Sequence, residues 1–385
     1  MWIIGQPGDP TTYTFSAGLD APATIVLSDV PDSVNALVAS TQAKVIECNG
    51  LTPADYESIS KDLTNGAGFD DIIILHPTSA GAVSRSARFI ARRGICNLVG
   101  KQPLDGLAQV DLGRLHYDYI AFIGNNGTDI AASYGEERNR CELRPGGSTV
   151  FIGAGGPMGQ MHVQRALELP EGPKLVIATE ISDERLQTLS DMFTPLAEKN
   201  GRQLLFFNPN SSNQSFHDFV MEATQNLGAD DVVVSVPVAA LMEEGDTVMK
   251  PDGMLVLFAG VPNGTMGAVN LSNVYLSNAQ YTGTSGLTID DQASVMMRRV
   301  AGTLSPGRSV AAIGGLETAA QAIESVIEGK YPGKVVIFPQ IRDLPLTGLK
   351  ELQERLPEVA EKLGEDLMWT NAAEEALIET MWEKP

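Results

Sequence analysis

The stretch Ser148-Thr149-Val150-Phe151-Ile152-Gly153-Ala154-Gly155-Gly156-Pro157-Met158-Gly159 decides how this chain folds. A short β-branched and aromatic run meets a glycine loop, and the loop opens a helical stretch from Gln160 to Leu169. Such a loop needs glycine because the backbone must turn sharply and approach a pyrophosphate closer than a Cβ allows. The helix behind it offers free N–H groups and the positive end of its dipole to phosphate. A second strand, Lys174 to Thr179, ends at Glu180, about 20 residues past the loop, where an acid bonds the hydroxyls of an adenosine ribose. Strand, loop, helix, strand and acid in that order predict a dinucleotide site. Two registers fit the glycines: Gly153 and Gly155 with the third falling late at Gly159, or Ala154, Gly156 and Gly159 with alanine in first place.

Outward from this unit the chain repeats itself at a period of roughly 160 residues, the length of a domain rather than of a solenoid repeat. Asp70-Asp71-Ile72-Ile73-Ile74 answers Asp230-Asp231-Val232-Val233-Val234, and each run soon meets a proline, Pro77 or Pro237. Gly94 to Gly100 answers Gly253 to Gly260, and Phe122 to Gly127 answers Tyr281 to Gly286. Trp2 to Gly5 and Thr24 to Asp29 stand where Val150 to Gly153 and Leu175 to Glu180 stand in the second copy. Strands alternating with helical segments imply parallel sheets covered on both faces. The expected fold is therefore α/β, two tandem Rossmann-like doubly wound parallel sheets.

The break Arg144-Pro145-Gly146-Gly147 sets the boundaries at 1–143 for a degenerate first copy, 144–340 for an NAD-binding copy and 341–385 for a helical tail. In the first copy Gly5-Gln6-Pro7-Gly8-Asp9-Pro10-Thr11 keeps two glycines. Its prolines remove N–H donors, and its acid would face the pyrophosphate, so this loop is expected to stay empty. The stretches Ala121 to Asn125 and Tyr281 to Ser285 sit where sheet edges fall, and the halves are expected to join there as an intrachain pseudo-dimer.

Composition bounds the partners. The chain has 385 residues, 27 basic against 48 acidic, for a formal net charge of −21. That balance argues against nucleic acid, and no apolar run approaches the roughly 20 residues of a membrane span. Cys48, Cys96 and Cys141 lie far apart and form no paired framework, which fits a reduced, cytoplasmic setting.

The second half resembles the cofactor domain of medium-chain, zinc-type alcohol and polyol dehydrogenases. The likeness rests on Gly153 to Gly159, Thr179 to Leu186 and Gly283-Thr284-Ser285-Gly286. The L-sorbose-1-phosphate reductase branch also shares the Asp-Asp strand ending in Pro237, Asp290-Asp291, Gly314-Gly315-Leu316 and Asp343 to Thr347. The likeness covers roughly Arg144 to Leu349. It implies NAD as cofactor, held by Gly153, Gly155, Gly156, Pro157, Met158, Gly159, Glu180 and Arg185. The nicotinamide would lie over the strand ends at Val236, Pro237, Gly260, Thr284, Ser285 and Gly286. Glu180 would repel the extra phosphate of NADP.

The family's N-terminal barrel-like domain supplies zinc ligands, and its signatures are absent here. No Gly-His-Glu triplet and no Cys-x-x-Cys cluster occurs, and His76, His116, His162 and His217 are scattered, so no metal is expected. His76, at the end of a predicted strand in Leu75-His76-Pro77, is the candidate for proton exchange. Three functions remain open. The first is an NAD(H)-dependent sugar or polyol (phosphate) dehydrogenase represented without its zinc domain, through truncation or as a separate catalytic subunit. The others are a non-catalytic NAD(H)-binding or scaffold protein, and a zinc-independent oxidoreductase. A small sugar or polyol substrate and a homo-oligomer are compatible with the first.

Overall fold

The computed structural model describes residues 1–135, 140–283 and 285–382. The first half contributes strands β1 (Trp2–Ile4), β2 (Thr24–Ser28), β3 (Lys44–Glu47), β4 (Phe69–Leu75), β5 (Ile90–Val99), β6 (Ala108–Asp111) and β7 (Ala121–Asn125). The second contributes β8 (Ser148–Ile152), β9 (Leu175–Thr179), β10 (Gln203–Phe207), β11 (Ala229–Val234), β12 (Met249–Leu257), β13 (Met266–Val269) and β14 (Gln280–Thr282). These build two six-stranded parallel sheets, in the orders β3-β2-β1-β4-β5-β7 and β10-β9-β8-β11-β12-β14. Both follow the dinucleotide-binding order, with the direction of winding reversed beside the first strand. The sequence expectation of two Rossmann-like sheets holds. The strands read as continuous apolar runs because helices cover both faces: Ile3, Ile25, Leu27, Ile73 and Leu75 form one core with Val34 and Val38 of the helix Asp32–Val38. β11 is buried along its whole length.

Residues 1–143 and 216–286 interlock, though not as the sequence suggested. β7 and β14 are neighbours, yet no ladder joins them among the described residues. The halves pair instead through an antiparallel ribbon, β6 with β13, in the register Val110↔Gly267. Each ribbon strand then feeds a short helix that covers the other half's edge. Tyr275, in Ser272–Ser277, packs on Gly124 of β7, where an added Cβ would lie 2.6 Å from the Tyr275 Cβ. His116, in Leu112–Tyr117, lies against Gly283, just past β14. Tyr275 Oη donates to the Gln102 carbonyl at 2.6 Å, and Leu104 N–H to Ser272 Oγ at 3.0 Å. Helices rather than a shared ladder close the edges, and each lands on a glycine, Gly124 within β7 or Gly283 just past β14.

The expected boundaries are also revised. The chain divides into two compact units, 1–152 with 216–286 and 153–215 with 287–385. The first boundary moves because the ribbon and its helices bind β11 to β14 into the same body as the first sheet. The second moves because 341–385 is no separate tail. Strands β15 (Val310–Gly315), β16 (Lys334–Phe338) and β17 (Thr347–Gly348) form a three-stranded sheet. Ile313 and Phe338 share one buried cluster with Leu352, Val359, Trp369 and Leu377. Among the described residues no helix is long and apolar enough to cross a membrane.

Candidate functional site

The glycine loop lies between β8 and the helix Pro157–Glu168. Its register is now readable from the role of each glycine. Gly153 has φ +78°, the left-handed turn that favours glycine, and its N–H and that of Ala154 both donate to the Thr179 carbonyl, at 3.1 and 2.8 Å. A Cβ on Gly155 would overlap the Glu180 carboxylate. A Cβ on Gly159 would sit 2.5 Å from the Gly153 carbonyl oxygen and 2.7 Å from the Ala154 Cα. Gly156 has open space around its Cβ position. The close approaches and the left-handed turn thus fall at Gly153, Gly155 and Gly159, and not at Gly156.

Glu180, 7 % exposed, ends β9 and is held by three backbone donors: Gly155 N–H at 3.1 Å, Ile181 N–H at 2.9 Å and Ser182 N–H at 3.3 Å. The carboxylate thus sits over the loop, where a ribose would present its hydroxyls. Pro157 fills the first helical position, where a missing N–H costs nothing. Met158 and Gly159 lie in the first turn, whose N–H groups have no partner within the helix, and among the described residues no side chain caps this end. The loop therefore keeps the free donors and close approach a pyrophosphate requires. Arg185 lies in the exposed first turn of the helix Asp183–Lys199, its guanidinium beside Gly329.

Two buried residues that the sequence reading missed hold this arrangement. Gln160 Nε2 donates to the Gly155 carbonyl at 3.0 Å and fixes the loop from inside the helix. Asn208, just past β10, donates to the Ile181 carbonyl at 3.2 Å and to Asp183 at 2.6 Å, bracing the turn after Glu180. Polar residues on the inner face of otherwise apolar elements were the signal available for both.

The remaining expected cofactor residues belong to the other compact unit. Val236 and Pro237 follow the carboxyl end of β11, where Ser235 N–H donates to the Ile152 carbonyl at 2.9 Å. Gly260, past β12, is packed on the first half: its Cβ position lies 2.5 Å from Tyr117 Oη and 2.7 Å from His116 Cδ2. The His116 Nδ1–H donates to the Leu257 carbonyl at 3.0 Å, which fixes the tautomer. Ser285 accepts a short hydrogen bond from Tyr119 Oη at its carbonyl, Gly286 has φ +82°, and Thr284 lies outside the described residues.

The first copy has a different ground plan. No helix separates β1 from β2, so residues 5–23 present no helix N-terminus to a phosphate. Asp9 does not face a pyrophosphate, as the sequence reading expected. Its side chain is fully buried and accepts from Thr11 N–H at 3.0 Å and Tyr13 Oη at 2.9 Å. Burial works to raise its pKa, but the bonds from Thr11 and Tyr13, with the nearby His76, outweigh burial and hold the group low. Asp29 sits in the left-handed region at φ +51° and turns its carboxylate to Gly50 N–H instead of the glycine segment. His76, also left-handed at φ +49°, follows β4 with its Nδ1 3.9 Å from Asp9. Among the described residues no group of three or more His, Cys, Asp or Glu is arranged to hold a metal.

Fold and loop together define an α/β chain with two Rossmann-like sheets, one of which keeps the elements of a dinucleotide site. No family model matches the chain. Mannitol-1-phosphate 5-dehydrogenase of Aliivibrio fischeri is 28% identical over 247 residues, 62% of this chain and 57% of that protein. L-sorbose 1-phosphate reductase of Klebsiella pneumoniae is 27% identical over 244 residues, 61% of this chain and 56% of that protein. Among solved structures, the 2R,3R-butanediol dehydrogenase of Bacillus subtilis is 19% identical and covers 51% of this chain and 52% of its own, with a TM-score of 0.41. Both curated relatives are sugar or polyol phosphate oxidoreductases by name, and their likeness to this chain supports the resemblance to polyol dehydrogenases that the motifs implied. The chain spans little more than half the length of these relatives.

Proposed function

We propose that this chain binds NAD(H) on its second sheet and serves as the cofactor-bearing part of an oxidoreductase acting on a sugar or polyol phosphate. The observation that carries the reading is Glu180, fixed over the glycine loop by three N–H groups and ready to accept from ribose hydroxyls. Gly153, Gly155 and Gly159 bring the backbone close to the pyrophosphate, and the N–H groups of Met158 and Gly159 face its charge. Val236, Pro237, Gly260, Ser285 and Gly286 lie past the carboxyl ends of their strands, where open sheets receive ligands. The nicotinamide supplies hydride donation and acceptance. In this reading His76 exchanges the proton, with the Asp9 carboxylate 3.9 Å from its Nδ1.

NADH should bind at least about tenfold more tightly than NADPH, because a 2′-phosphate meets the buried Glu180 charge. Fluorescence titration checks this, and equal or tighter NADPH binding overturns the assignment. A reading as a non-catalytic NAD(H)-binding scaffold draws on the first copy, which has kept the strand order without the phosphate-binding helix. NADH binding without turnover of mannitol 1-phosphate or sorbose 1-phosphate would favour it.

A further inference from the structure

A cavity of about 380 Å³ lies in the unit formed by 153–215 and 287–385 and shares no lining residue with the glycine loop. Its wall is apolar at Val310, Leu349 and Leu367, and its rim carries Lys330, Lys350 and Arg308 beside Asp366 and Glu351, the latter paired with Arg355 at 3.7 Å. Cations gathered around one cavity are notable in a chain with 27 basic and 48 acidic residues. Neither lysine has an ion-pair partner among the described residues, while Lys330 Nζ stands 5.3 Å from the centre of the Tyr331 ring. Arg308 is different. Its side chain is 11% exposed, and Nη1 donates to Asp366 at 3.1 Å. Its Nε is buried, 3.8 Å from Glu168, without a hydrogen bond.

The lip of this cavity is strained. Asp366 (φ 55°) and Leu367 (φ 59°) are consecutive non-glycine residues in the left-handed region, a conformation that surrounding structure must enforce. The carboxylate engaging Arg308 therefore sits on a segment that other contacts hold against its own preference.

We propose that this cavity binds a small organic anion with an apolar body. Lys330 and Lys350 hold the anionic head, the apolar wall takes the body, and Asp366 occupies Arg308 until the anion competes for it.

The test is calorimetric titration of the full chain with hexyl phosphate, with inorganic phosphate and 1-hexanol as partial probes. Hexyl phosphate should bind saturably at one site, and each partial probe at least about tenfold more weakly. Lys330→Glu combined with Lys350→Glu, both exposed and compatible with folding, should cost at least about tenfold in affinity. Asp366→Asn should tighten binding by about threefold or more, because it frees the Arg308 guanidinium. A merely structural Asp366 would give the opposite sign or no change. Absence of saturable binding, equal binding of inorganic phosphate, indifference to the lysine variant, or unchanged or weaker binding by Asp366→Asn each overturns the proposal.

Discussion

Adjacent glycines at 155 and 156 carry opposite consequences. Gly155→Ala places a methyl group in the Glu180 carboxylate and displaces the acid that defines the ribose end. NADH affinity should fall at least about tenfold, whereas Gly156→Ala, with nothing near its Cβ position, should leave it within about twofold. A titration in which the two variants behave alike would remove the register from the loop. His162, in the helix behind the loop, makes a pH prediction at the same scale. Burial, and then the charge of Arg165, push its pKa down to about 4. The unfolded chain takes a proton near pH 6.5 and the folded chain only near 4, so this contribution to stability is complete above 6.5 and lost as pH falls through that window. The loss is at most about 3 kcal/mol. His162→Gln should flatten the fall in urea-melt stability between those pH values.

Among elements, the short helices that cross between the halves carry the interface. Gly124→Ala sets a methyl group against Tyr275, 3.0 Å from its Cα, where backbone must move. We expect a loss of about 1–3 kcal/mol in chemical denaturation, and Tyr275→Ala in the same background should not recover it, because the close atoms are the Tyr275 Cα and Cβ and the Leu98 carbonyl oxygen. Much at this level was legible in the sequence. The Asp-Asp strands, the apolar runs of β4 and β11 and the glycine loop specify parallel strands, because a strand buried on both faces leaves no alternating signal to misread. The ribbon was not legible, since Ala108–Asp111 and Met266–Val269 are too short and mixed to declare partners 155 to 161 residues apart without the fold that brings them together. The missing first helix was legible only in part. Pro7 and Pro10 signalled a damaged loop, but not that residues 5–23 would cross without helical structure.

For the whole molecule, the segment after Gln340 completes a core rather than decorating one. A chain ending at Gln340 would expose Ile313 and Phe338, which pack against Leu352, Val359 and Trp369. It should lose its near-ultraviolet dichroism from this region and become protease-sensitive between residues 287 and 340. Undiminished protection there would restore the tail to the separate role the sequence suggested. Binding stoichiometry belongs to this scale too. Only the second sheet has a helix N-terminus behind its loop, so calorimetry should count about one NADH per chain. Two equal sites would refute the asymmetry.

The β6–β13 ribbon joins two similar sheets that belong to one polypeptide, and that has a consequence for how they diverge. In an assembly of identical subunits every substitution arises on both sides at once, so neither copy can abandon its ligand while the other keeps it. Here the mating surfaces are encoded separately, and their association does not weaken on dilution, because it is a loop closure rather than a meeting of molecules. One half can therefore lack that helix and bury Asp9 in its own loop, while still serving as a permanent partner for the other.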